Sequence, residues 1–193
     1  SSAGALGNLS RPGWDDPDRH PYAIVPRVEK VQGSMIRPLI CKLDIIDETL
    51  AEVWRGGAKN CEALVLWLGQ RSGDVTKVVE AYVPDYEARR DQFHVRPDSM
   101  RAIMTHLRTT RTHICAQVHS HPGQAFHSHV DDEWAIVRHQ GAISLVVPNF
   151  GSGLGTAGFL DVVAAFALSA TDRWEQILPD TLPAIVRIQD AEA

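Results

Sequence analysis

Apolar positions recur along this chain in two rhythms, one near the helical period and one of two residues, and segments of each kind alternate. In LDIIDETLAEVW, residues 43–54, Ile45, Ile46, Leu50, Val53 and Trp54 share one helical face, and the RGG that follows predicts the helix end. CEALVLWLG, residues 61–69, is almost continuously apolar and bounded by Gly69, the pattern of a central strand covered on both faces. VTKVVEAYVP, residues 75–84, alternates and stops at Pro84; with QRSGD between them the two runs predict a hairpin. RPDSMRAIMTHLRTTR, residues 96–111, sets Met100, Ile103, Met104 and Leu107 at helical spacing behind Pro97 and Asp98. THICAQVHSHP, residues 112–122, reads as a strand. VDDEWAIVRHQG, residues 130–141, reads as a helix with acids at its start and Gly141 after its end. AISLVVPNF is another strand. The remainder predicts a strand in VVAAFALSA, a turn around Trp174 and a last strand in AIVRIQD. This alternation of helices and strands is that of the α/β class.

Residues 1–21 mix Gly, Pro, Asp and Ser with almost no apolar period and predict a flexible N-terminal arm, ahead of one domain spanning 22–193. At the start of that domain, YAIVPRV is an edge-strand candidate, because Pro26 cannot donate to a ladder. Composition adds exclusions. With 193 residues and 44% hydrophobic content the chain suits one soluble globular domain. A formal net charge of -5 argues against nucleic acid as a partner. No apolar run approaches the roughly 20 residues of a membrane span, so no membrane partner is expected. Nor does the start carry a signal-peptide pattern. Cys41, Cys61 and Cys115 are widely spaced and form no CxxC, which fits a reducing, cytoplasmic setting.

The stretch QVHSHPGQAFHSHVDDEW, residues 117–134, concentrates the chemistry: it holds four of the nine histidines, and paired aspartates follow. His119 and His121 stand one residue apart at the end of a predicted strand, so their imidazoles project to one side while Ser120 points away. Two imidazoles on a rigid strand are good zinc ligands. Pro122 and Gly123 then turn the chain, and Asp131 falls in the first turn of the next predicted helix, where its carboxylate can fold back. Two His and one carboxylate leave a fourth position open, the arrangement of a catalytic rather than a structural Zn2+. Hydrolysis also needs a base that is not itself a ligand. Glu62, at the start of an apolar strand, is costly there without a partner and is the candidate. Glu80 in the next strand is the fallback.

His119-Ser120-His121-Pro122 followed by Ser128-His129-Val130-Asp131 resembles the zinc motif of the JAMM/MPN+ metalloproteases, and Glu62, 57 residues before His119, matches the family's upstream acid. The likeness covers roughly residues 43–148 and is closest to compact prokaryotic members, some found beside ubiquitin-like, E1-like and E2-like proteins in antiviral operons. It implies a single JAMM/MPN-type domain with a mixed central β-sheet flanked by helices, a cytidine-deaminase-like architecture. It also implies cleavage of an isopeptide or peptide bond after the C-terminus of a ubiquitin-like protein, with E1-like and E2-like proteins as further partners. Zinc would be held by His119, His121 and Asp131, Glu62 would move the proton, and Ser128 would donate to the oxyanion. One departure stands out: five residues separate Pro122 from Ser128, one fewer than the family's six. Counting from His121 instead would make Asp132 the ligand and put His129 in the serine's place. Keeping SxxD intact favours Asp131.

Plainer readings accompany these. Ser128 is also a good helix cap. His127 and His129 read as solvated loop residues at the rim of the site, and His94, His106 and His139 as surface or helix positions. GLGTAG, residues 153–158, matches a dinucleotide fingerprint, but it comes late and lacks the following acid and parallel strand, so a mobile Gly-rich loop is expected. HxE and PCxxC, the zinc deaminase signatures, are both absent. The alternatives to the isopeptidase are a zinc hydrolase of another amide and a non-catalytic MPN-type scaffold.

Overall fold

Strand β1 (Leu39–Lys42) runs directly into helix α1 (Leu43–Ala58), and β2 (Leu64–Ser72) and β3 (Val75–Tyr82) form a hairpin closed at Gly73 and Asp74. A two-residue pair, β4 (Glu87–Ala88) and β5 (Phe93–His94), precedes α2 (Pro97–Thr110), β6 (His113–Ser120) and β7 (Ile143–Val147). The chain then passes through the short helix α3 (Phe159–Val162), β8 (Ala164–Leu168), β9 (Trp174–Ile177), the short helix α4 (Leu182–Ile185) and β10 (Val186–Gln189). This computed structural model describes residues 36–127, 131 and 135–189; the expected arm and the YAIVPRV strand lie outside them.

Eight strands form one mixed sheet in the order β10-β1-β3-β2-β6-β7-β8-β9. The pairs β1–β10, β1–β3 and β6–β7 are parallel, and the others are antiparallel. Alternation along β2 builds two layers of core at once. Val65 and Trp67 face α1 with its Ile46, Leu50 and Val53, whereas Leu64, Leu66 and Leu68 face Phe93 of β5 and Ile103 of α2. Helices therefore cover both faces of the centre, as the continuous apolar run demanded. Trp67 is fully buried, and its indole N–H donates to Thr49 at 2.9 Å, so its polar atom is satisfied inside the core.

Several expectations are corrected. RGG does not end α1, which continues to Ala58. Its glycines are there for close approach: a Cβ on Gly57 would stand 2.7 Å from the Phe150 Cβ. Trp54 is half exposed rather than buried, and its indole donates to the Gly151 carbonyl at 2.9 Å. Met104 is likewise exposed, leaving Ile103 as the buried anchor of α2. The helix expected over 130–141 does not reach its end, since residues 135–140 are not helical. Trp174 begins edge strand β9 instead of marking a turn. GLGTAG holds a single tight turn, Thr156–Gly158, with Leu154 buried before it. That turn opens only four-residue α3, and β8 returns antiparallel to β7, so no strand–helix–parallel strand unit forms there. Among the described residues no helix is long and apolar enough to cross a membrane.

Candidate metal centre

The site forms where two antiparallel neighbours end. β2 and β6 pair with Leu64 opposite His119, and the same register carried two residues further sets Glu62 opposite His121. Backbone bonds hold both extensions in place. His121 donates to the Val147 carbonyl at 2.9 Å, and Glu62 donates to the Arg89 carbonyl at 2.7 Å. Ser120 accepts the Ala63 N–H on its hydroxyl at 2.9 Å while its own N–H donates to the Ala63 carbonyl at 3.2 Å. The residue between the two histidines thus pins the residue after Glu62. Beyond it, Phe150 donates to the His121 carbonyl and Asn149 to the Gly123 carbonyl, each at 2.8 Å. Asn149 and Phe150 both take left-handed backbone, uncommon for non-glycine residues.

The side chains converge in a closed space. Glu62, His119, His121 and Asp131 are all buried. His119 Nε2 lies 3.3 Å from Asp131 Oδ1, and His121 Nε2 lies 3.4 Å from Asp131 Oδ2. One ligand atom from each of His119, His121 and Asp131 falls within 4.8 Å of the others. Donors about 2.0–2.1 Å from a tetrahedral ion stand about 3.3–3.4 Å apart, so the spacing suits one small divalent cation. Glu62 Oε1 is 3.7 Å from His121 Nε2, beside the three and separate from them.

Electrostatics point the same way. Glu62 Oε2, both ring nitrogens of His119 and His121 Nε2 are buried without a hydrogen bond among the described residues. Burial is expensive for such atoms unless something pairs with them. Burial raises the Glu62 carboxyl to about 9, and the charges of Asp131 and Asp91 push in the same direction. Burial would raise Asp131 too, but His119 and His121 override it and hold that carboxyl well below its usual range. A cation between the imidazoles and Asp131 would satisfy Nε2 of His119 and Nε2 of His121 and offset the crowding of two buried carboxylates.

Aromatic rings wall the cluster: Phe93 lies 5.7 Å from His119 between ring centroids, and Phe126 stands edge-on to His121 at 4.8 Å. His127 is buried, not solvated. It stacks on Trp174 at 4.8 Å and meets Phe166 edge-on at 5.2 Å. Glu80 is elsewhere, with its carboxylate 2.9 Å from His106 Nε2. Ser128, His129 and Asp132 lie outside the described residues. One contributor, Ser120, has no role in the sequence reading, and His127, expected at a solvated rim, is buried instead. The signal for Ser120 was present, a polar side chain on a strand with both faces buried.

No family model matches the chain. Over 157 residues it is 27% identical to the "Probable metalloprotease y4jG" of Sinorhizobium fredii (strain NBRC 101917 / NGR234), a match covering 79% of this chain and 95% of that one. The solution structure of protein DSY2949 from Desulfitobacterium hafniense superposes with a TM-score of 0.57 at 16% identity, covering 79% of this chain and 94% of that one. The second likeness concerns the fold alone.

Proposed function

We propose that the chain is a metal-dependent peptidase of the JAMM/MPN+ type that uses zinc and cleaves after the C-terminal tail of a ubiquitin-like protein. The carrying observation is the buried His119–His121–Asp131 cluster with a protonatable carboxyl, Glu62, facing it from the neighbouring strand. The similarity to a probable metalloprotease supports the peptidase reading. His119, His121 and Asp131 would hold the ion. When bound, zinc supplies Lewis-acid polarisation of the amide carbonyl and makes water easier to deprotonate.

Glu62 does the proton work. With a cation beside it favouring the ionised form, its carboxylate would accept a proton from the attacking water, and burial, which favours the protonated form, would let it hold that proton until the leaving amine takes it. Ser128 is proposed to donate to the oxygen that gains negative charge. Phe93 and Phe126 restrict water around the imidazoles. A ubiquitin-like tail would lie extended beside the loop after β6, where small residues let its backbone pass close to the ligands.

The test uses a fusion of a ubiquitin-like protein to a target, with zinc measured in wild type and in Glu62→Ala. Both proteins should carry about one zinc per chain, while cleavage by the variant falls about 10²–10⁴-fold. Equal cleavage by the two removes Glu62 from the chemistry. Cleavage by metal-free wild type overturns the metallopeptidase reading.

A further inference from the structure

The N-terminal end of β6 opens into a cleft of about 1030 Å³, remote from the metal centre. His113 at that end stands six positions before His119, about 20 Å away at the rise of a strand. Arg37, Arg71, Arg108, Arg111 and Arg138 all line it, and its lining includes no Asp or Glu among the described residues. That is unexpected in a chain whose net charge is -5. We propose that this cleft docks an acidic peptide segment of a partner protein.

Guanidiniums enter from four separate stretches: before β1, the end of β2, the end of α2 with the residue after it, and the 135–141 segment. Arg37 is held by the Gly73 carbonyl and Arg138 by Asp172. Arg71, Arg108 and Arg111 form no ion pair among the described residues. Burial, then Arg71, His139 and Arg37, hold the His113 imidazole below its ordinary pKa, so the cleft is cation-crowded where it narrows onto the sheet. Between the arginines the floor is apolar, with Leu39, Leu107, Ile114 and Val137. A ligand that alternates carboxylates with apolar side chains satisfies both surfaces.

A compact phosphate group fits less well. The cleft borders the C-terminal end of α2, whose carbonyls repel concentrated negative charge, and charges entering from several stretches match carboxylates spread along a chain better than one dianion.

The inference stands apart from the peptidase reading and is tested without it. A short labelled peptide alternating Glu and Leu is titrated into the full chain at low salt and followed by fluorescence anisotropy. Saturable binding should appear and weaken as salt rises. The exposed pair Arg71→Glu with Arg108→Glu should weaken it about tenfold or more, with zinc content and melting unchanged. His121→Ala should leave it intact. Charge-neutral Arg108→Gln, measured alone, should weaken it about threefold and guards against misfolding of the double variant. Equal binding of a Gln and Leu peptide, equal binding by the arginine variants, or stronger competition by ATP or an oligonucleotide than by unlabelled acidic peptide would each overturn the proposal.

Discussion

Strand β6 carries two sites of opposite character at its two ends. At its C-terminal end His119 is fully buried, walled by rings, and shares a closed space with two carboxylates. At its N-terminal end His113 is only half-buried, at the edge of an open cleft rimmed with arginine. The same residue type serves opposite electrostatics. One end collects negative charge in a low-dielectric pocket and so favours a small cation; the other spreads positive charge at the surface and so favours a long anion. Burial sets how strongly each charge is felt.

The contrast can be broken most severely at the closed end. His119→Ala should reduce zinc from about one per chain to a trace by elemental analysis and should abolish peptidase activity, because only His121 and Asp131 would remain as ligands. Binding of the acidic peptide at the open end should not change. Loss at both ends would mean that the two share one folding unit rather than forming separate sites.

Proton linkage sharpens the comparison next. In metal-free protein Glu62 binds its proton up to about 9, against an ordinary 4.5, so the folded state holds more protons than the unfolded state between those values. Stability of the metal-free protein should therefore fall as pH rises through that window, and Glu62→Gln should flatten the fall. Urea midpoints measured from pH 5 to 9 check this; an unchanged slope in Glu62→Gln would place the proton elsewhere. Zinc should also flatten the slope in wild type, since a cation favours the ionised carboxyl.

The smallest of these effects lies in a single hydroxyl. Ser120→Ala strands the buried Ala63 N–H and should cost about 1–3 kcal/mol in denaturant unfolding. Zinc should stay bound while kcat drops more than KM changes, because the Ala63 backbone next to Glu62 loses one of its tethers. Thr112→Ala at the open end, where among the described residues the hydroxyl meets only that of Thr110, should cost less.

Period and punctuation made much of this fold legible. The five apolar side chains Leu64–Leu68 told of a strand covered twice, and Pro97 with Ile103 told of α2. What local pattern could not show depends on distant partners. The glycines of RGG do not punctuate α1 but make room inside it: Phe150, almost a hundred residues on, packs where Gly57 has no side chain. His127 is buried because Phe166 and Trp174, on later strands, come to meet it. β9 hid because an edge strand of four residues needs little apolar content. At the site, HxH spacing and the lone acid of a greasy strand were readable, and the β2–β6 register explains why they meet. The hydroxyl of Ser120 was discounted because it points away from the imidazoles, which is the direction from which it can hold Ala63.

The left-handed turn at Asn149 and Phe150 makes the metal loop a lever. One arm is the pair of carbonyls of His121 and Gly123, which accept from Phe150 and Asn149; the other is the packing of Phe150 against Gly57 and of Gly151 under the Trp54 indole. A push on the outer surface of α1, on the far side of the sheet, is thereby carried to the carbonyl of a ligand histidine through a single stiff corner. Trp54 reaches the backbone of a ligand histidine through two hydrogen bonds and one turn, without entering the site.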